Sequence, residues 1–479
     1  MIYAFSPYMV HAAEFHMFLV WVPLPPVILY LLYRHLMLGV GHSGRTGAWL
    51  GVCIACQYLI DAEIAAAVAL VAALVTALLW STRLCGLAVR GALRPGGVIM
   101  LAAARRGVIM LSFAGVVATL LVAYPVWQYL YGAHHVTVVQ PVENTGIPWL
   151  TTFLAATAPV FPDDLAGSVH NLASEVGPLS TRYEGLFAGS GYIGPVLILA
   201  LVWIAVQSSQ RRIVRAAGAL LAVSWVLGLG PNLTTPTGGL STRLPTAWIL
   251  HEPVLRNLVA GRLTLYVWLA IAVLIGVAID ELQLTRVRPD SSRAVRGWSV
   301  AVAAALVGAV LAAPDRRIPT YRIGSLPNVS TQEMRRAIPR GAAVLTYPRA
   351  WFPDDQPMLW QAIDEMRFNL VGGYAKFPGT RIGASLTAPL LQPTAVQCWL
   401  SQAQFPESSW SHALPGGCPL KPMAMRPGVM RTFARVNHID AVLVERVVVR
   451  PERVVSTVSA AFGPPSAVAG RFLAWQTSR

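Results

Sequence analysis

Residues 47–80 read GAWLGVCIACQYLIDAEIAAAVALVAALVTALLW, and how this stretch divides decides the fold. As a single helix, its 34 residues would reach about 51 Å, far beyond a hydrocarbon core of about 30 Å. A single helix would also hold Asp61 and Glu63 near its centre, where a carboxylate is costly. Two helices folded into a hairpin carry both acids at the tip instead. The hairpin is the better reading.

Working outward, eight apolar spans can be marked: Phe15–Tyr33, Gly47–Ile60, Ala62–Trp80, Gly107–Tyr131, Gly191–Gln207, Ile213–Gly230, Leu263–Asp280 and Trp298–Ala313. Only 12% of the 479 residues are charged and the mean hydropathy is +0.55. A soluble domain carries about 25% charged residues. A soluble enzyme, a disordered chain and a collagen-like repeat are excluded, and the fold class expected is an all-α polytopic membrane domain followed by a small α/β domain. The net charge of +15 fits nucleic-acid binding on its face. However, 35 of the 37 basic residues are Arg, with only Lys376 and Lys421 as lysines, which reads as genome composition bias. No nucleic-acid partner is expected.

Where the arginines sit is more informative. With the amino terminus outside, the cytoplasmic loops hold Arg34, Arg45, Arg83, Arg90, Arg94, Arg105, Arg106, Arg211, Arg212, Arg215, Arg286, Arg288, Arg293 and Arg296. That makes 14 against 4 on the opposite side, namely Arg182, Arg243, Arg256 and Arg262. Positive charge in short loops marks the cytoplasmic face. The loops near 132–190 and 231–262 and the domain 314–479 are therefore expected to be extracytoplasmic, in a membrane whose cytoplasmic face carries the arginine-rich loops. Met1–Glu14 has no Lys or Arg and no leader of the usual kind. The expectation is that the sequence begins inside a longer protein or has a misplaced start.

Beyond residue 313 the composition changes, and 19 Lys/Arg face 10 Asp/Glu with no membrane-length apolar run. Helices are expected near Thr331–Ala337, Val429–Asn437 and Pro451–Phe462. Strands are expected at Ala343–Tyr347, Ala441–Val444 and Arg471–Gln476, around a Pro/Gly-rich middle. Alternating short strands and helices point to a small α/β layer. Cys398 and Cys418 are its two cysteines, and an oxidising exterior favours their pairing. Cys53 and Cys56 have CxxC spacing inside an apolar span and read as small packing residues. Cys85 reads as a free thiol.

No nucleotide-binding, zinc-protease or serine-hydrolase motif is present. His134 and His135 are adjacent and, on a helix, point about 100° apart, poor for shared metal ligation. No metal ligand set and no cofactor is evident; a divalent cation is left open. Polar residues instead collect on the outer loops: Asp61 and Glu63 on the hairpin, Glu143, Asp163, Asp164, Glu175, Arg182 and Glu184 in the long loop, then Arg243, His251, Glu252, Arg256 and Arg262. Arg262 is either a snorkelling residue or a grip for a lipid-linked phosphate. Asp61 and Glu63 are either a solvated tip or a buried acidic pair near a reaction centre.

The segment Pro253-Val254-Leu255-Arg256-Asn257, running on to Arg262 before a late span, is similar to one in GT-C-type glycosyltransferases, as are the long outer loops and the terminal α/β domain. More closely, the chain resembles large actinobacterial multi-pass proteins of GT-C-like character. The matching stretches are FSPYMVHAAEFHMFLVWVPLPPVIL (5–29), QYLIDAEIAAA (57–67), YPVWQYLYGAHHV (124–136), EGLFAGSGYIG (184–194) and LWQAIDEMRFNLVGGY (359–374). The resemblance implies sugar transfer from a polyprenyl-phosphate donor to an envelope lipid or polysaccharide acceptor, with membrane lipids as surroundings and Arg262 and Arg256 as candidates for the donor phosphate. It also implies an Asp general base in a first outer loop, which falls upstream of Met1. The chain departs from that pattern at Asp61-Ala62-Glu63, where relatives carry a Ser-Glu-Glu-like sequence, and at Ala260-Gly261-Arg262, where they carry Pro-Ala-Arg. The alternative is a non-catalytic envelope protein whose outer domain binds a partner or wall polymer. A transporter comes last, since the spans hold almost no central charge and no repeat is visible.

Overall fold

The computed structural model describes residues 2–6, 8–9, 12, 17–89, 93–132, 193–233, 242–249, 252, 255, 258–286, 292–312, 329, 331–349, 356–371, 394–404, 418–446 and 451–477. The chain divides into two compact units, Met1–Trp127 with Val142–Ile318 and Gln128–Pro141 with Pro319–Arg479.

The first unit is helical: α1 Leu24–Leu32, α2 Ser43–Ile60, α3 Ala62–Val89, α4 Leu93–Tyr131, α5 Pro195–Gln207 and α6 Arg212–Gly228 come first. A two-residue ribbon follows, β1 Asn232–Leu233 with β2 Thr242–Arg243, and then α7 Pro245–Ile249, α8 Thr264–Arg286 and α9 Ser292–Ala312. Among the described residues, three helical stretches are long and apolar enough to cross a membrane: Ala62–Val89, Met100–Gln128 and Ala260–Thr285. The last is the hub, with 72% of its most apolar 18-residue stretch buried, against 28% and 17% for the others. It packs on α5, α6 and α9. Along α4 the reverse holds, and Leu101, Leu111, Val116 and Leu120 stand exposed. A contiguous apolar surface of this kind is disfavoured against water and natural against lipid.

Residues 47–80 fold as two helices. Asp61 is extended at the break (φ −157°, ψ 110°) between α2 and α3, and the two helices pack on each other. The first expected span differs from expectation. Phe15–Tyr33 holds a 3-10 turn, Met17–Val20, then α1, then a π-helical turn, Tyr33–Met37. Pro23, Pro25 and Pro26 explain the interruption, because proline lacks the amide that an interior helical turn needs and is at home in a first turn. Close helix contacts use glycine. A Cβ on Gly47 would lie 2.3 Å from the Met110 carbonyl oxygen, and one on Gly51 2.6 Å from that of Ala114. This small-xxx-small spacing brings α2 directly against the α4 backbone.

The second unit is an α/β sandwich with helices on both faces. Its elements are α10 Gln332–Ala337, β3 Ala343–Tyr347, α11 Gln356–Ile363, β4 Asn369–Leu370, α12 Ala395–Gln404, α13 Pro427–Val436, β5 Ala441–Glu445, α14 Pro451–Phe462, β6 Ala467–Ala469 and β7 Phe472–Gln476. The strand order is β4-β3-β5-β7-β6, with β3 parallel to β4 and β5 and β7 antiparallel to β5 and β6. Leu345, Tyr347, Val442, Val444, Leu473 and Trp475 face a core shared with α12, α13 and α14. Val344, Ala441, Leu443, Phe472 and Ala474 face a second core with α10 and Trp360 of α11. Covered on both sides, the central strands read as unbroken apolar runs.

Candidate functional site

The polar centre of the helical unit is built where α3 begins. Asp61 caps that helix, its Oδ1 accepting from the Ile64 amide at 3.0 Å, as an N-cap aspartate should. Glu63 sits in the first turn, where the helix dipole favours an anion. Its Oε1 accepts from the Val259 amide at 2.8 Å, and its Oε2 pairs with Arg262 Nη1. Val259 precedes the 3-10 turn Ala260–Leu263 that leads into α8, so one carboxylate both caps that turn and holds its arginine. The Tyr266 hydroxyl, one turn into α8, donates to the Ile64 carbonyl at 3.1 Å. Side-chain exposure is 15% for Arg262 and 18% for Glu63. Glu63 is thus enclosed by the start of α8 and paired with Arg262, while Asp61, within electrostatic reach of it, caps α3.

Tyr8 adds a phenol to this centre. It is fully buried within electrostatic reach of Arg262, Glu63, Tyr3 and Asp61, and burial pushes its hydroxyl far above the usual range. Tyr3 donates to the Val22 carbonyl at 3.0 Å and is raised by the same cause. Neither Tyr8 nor Tyr266 stands out in the sequence reading. The signal for Tyr266 is a phenol inside an apolar helix, which needs a partner for its hydroxyl.

Arg256, His251, His134, His135 and the long-loop residues Glu143, Asp163, Asp164, Glu175, Arg182 and Glu184 lie outside the described residues. Arg243 falls in β2, and its side chain is exposed. Among the described residues, no group of three or more His, Cys, Asp and Glu side chains is placed to hold a metal. Cys53, Cys56 and Cys85 are free thiols, and Cys53 is buried.

In the α/β unit, Cys398 and Cys418 form a disulfide with Cα atoms 5.4 Å apart. It pins α12 to the following segment, together with Gln402, whose Nε2 donates to the carbonyls of Pro419 (2.7 Å) and Lys421 (2.9 Å). Arg349, at the carboxyl end of β3, is 5% exposed. Its amide donates to Gln404 Oε1 at 3.1 Å and its Nη1 to Ser401 Oγ at 3.4 Å. Burial lowers its guanidinium to about 10, so it stays charged at neutral pH. The sequence reading passes over this cluster because α12 lies in the stretch read as Pro/Gly-rich.

Comparison with family models finds no match, and neither does comparison with curated proteins or with solved structures.

Proposed function

We propose that the chain is a multi-pass protein of the bacterial plasma membrane with about eight spans. In this reading it is a GT-C-like glycosyltransferase, moving a sugar from a polyprenyl-phosphate donor to an envelope lipid or polysaccharide. The observation that carries the reading is the enclosed Glu63–Arg262 pair at the join of α3 and α8. An arginine held at the end of an apolar helix has the geometry to take a lipid-linked phosphate, because its planar fork matches phosphate oxygens. Glu63 then acts as a placeholder: it holds the guanidinium in position and yields it to the donor. The acceptor hydroxyl attacks the anomeric carbon, the bond from that carbon to the phosphate oxygen breaks, and Arg262 meets the charge left on the departing polyprenyl phosphate. The attacking hydroxyl's proton goes to a general base.

The excess of arginines on alternate loops supports an extracytoplasmic face for this centre. The Cys398–Cys418 disulfide suits an oxidising compartment for the α/β unit.

A second reading is favoured by the way the pair is satisfied. Glu63, Val259, Arg262, Tyr266 and Ile64 together tie α3 to α8, as a structural clasp in a non-catalytic envelope protein would. Binding of a polyprenyl-phosphate sugar to the full chain in nanodiscs separates the two. On the transferase reading, Arg262→Ala abolishes binding while Glu63→Gln keeps or tightens it, since the competing carboxylate is gone. Unchanged binding in a folded Arg262→Ala variant, or none in the parent, would leave the clasp.

A further inference from the structure

Midway along α3, a second feature has no part in that centre. A cavity of about 190 Å³ lies between α1, α3, α6 and α8, lined by Leu29, Tyr33, Val75, Leu79, Ala216 and Leu220. Its lining is almost wholly apolar. Arg212 and Arg215 open α6 beside it, and Arg212 Nη1 donates to the Met37 carbonyl at 3.0 Å, on the π-helical turn that lines the cavity. Arg83, a turn beyond Leu79 on α3, lies within electrostatic reach of both arginines, and so does Tyr33.

All three arginines are exposed residues. Among the described residues, no carboxylate pairs with any of them, and the nearby acids Asp280 and Glu281 are engaged by Arg211 at 2.7 and 2.5 Å. Three like charges are thus gathered beside an apolar slot, with no carboxylate paired to them among the described residues. A molecule complementary to both parts has a negative head and a hydrocarbon tail, and the bilayer supplies such molecules at high local concentration. Glu63 and Arg83 stand 20 positions apart on one helix, a rise of about 30 Å, so the arginine cluster lies a membrane's width along α3 from the Glu63–Arg262 pair.

We infer that this slot is a binding site for one anionic phospholipid, its phosphate held by Arg83, Arg212 and Arg215 and one acyl chain laid between α1, α3 and α6. Arginine favours phosphate for its fork geometry, and each basic side chain near a membrane surface adds measurably to anionic lipid attraction. The cavity admits a length of acyl chain, and the rest of the lipid lies along the outer surface.

The test is native mass spectrometry of the detergent-solubilised full chain, titrated with phosphatidylglycerol or phosphatidylcholine of matched acyl chains. The parent protein should keep phosphatidylglycerol through detergent removal far better than phosphatidylcholine. The combined variant Arg83→Gln, Arg212→Gln, Arg215→Gln should lower that retention roughly tenfold or more, to the phosphatidylcholine level. Ala216→Trp fills the slot with the arginines intact and should also release the lipid, and it carries the test if the triple variant does not fold. Excess soluble glycerol phosphate should fail to displace the lipid. Equal retention of the two lipids, full retention by either folded variant, or displacement by glycerol phosphate overturns the assignment.

Discussion

Along α4, Leu101, Leu111, Val116 and Leu120 face outward, while the helical unit keeps Glu63, Arg262, Tyr8 and Tyr266 inside or nearly so. In the α/β unit, the cluster around Arg349 apart, the arrangement is the ordinary one. Its sheet buries Val344, Leu345, Val442 and Trp475 between helices, and Arg335, Arg431 and Arg446 stay exposed. The two units solve the same problem against different solvents. Where hydrocarbon is outside, apolar burial no longer drives helices together, and close packing plus polar contacts must hold them. Where water is outside, apolar burial does most of the work.

That contrast can be tested by substitutions of graded effect. The largest is expected at Glu63→Ala, which leaves the Arg262 guanidinium enclosed without its carboxylate and should cost the helical unit about 3–5 kcal/mol. The double variant Glu63→Ala, Arg262→Ala should recover part of that loss in a detergent unfolding titration, and no recovery would argue against coupling. Next, removing the Cys398–Cys418 link by Cys418→Ser releases a closure across 20 positions and should destabilise the α/β unit by about 2–4 kcal/mol. If the two units unfold separately in calorimetry, only one transition should move.

Gly51→Leu at the α2–α4 crossing should cost about 1–3 kcal/mol by overpacking against backbone that cannot retreat. A comparable loss, about 1–3 kcal/mol, is expected in the other unit for Arg349→Met, which removes the guanidinium bond to Ser401 Oγ while the backbone bonds of residue 349 to Gln404 remain. The smallest effect belongs to Leu120→Ala. That residue is 75% exposed, and its truncation should shift stability by less than about 0.5 kcal/mol. A large effect there would mean that α4 is covered by something other than lipid.

Much of this was legible before the structure. The strands Ala343–Tyr347 and Ala441–Val444 are bounded apolar runs, and Pro451 marks the start of its helix, so local chemistry sufficed. The α12 segment AVQCWLSQAQ was not legible. Its Gln and Ser residues look solvent-facing, yet Ser401, Gln402 and Gln404 are buried because they hydrogen-bond to Arg349, Pro419 and Lys421. The short strand β6 and the interruption of Phe15–Tyr33 escaped for other reasons: one is too short to carry a period, and a hydropathy average does not register prolines. At the polar centre, Asp61, Glu63 and Arg262 each announce themselves as charges beside apolar runs. Their pairing does not, since 199 positions separate Glu63 from Arg262, and tertiary packing alone brings the two together.

The sheet of the α/β unit ends on β4, two residues long, and β6, three residues long. Membrane proteins diffuse in a plane, where copies meet at a far higher effective concentration than the same number of molecules would in free volume. A long bare strand on a domain carried by such a chain would recruit its neighbours into a shared sheet. Among the described residues, edges this short offer little template for that recruitment.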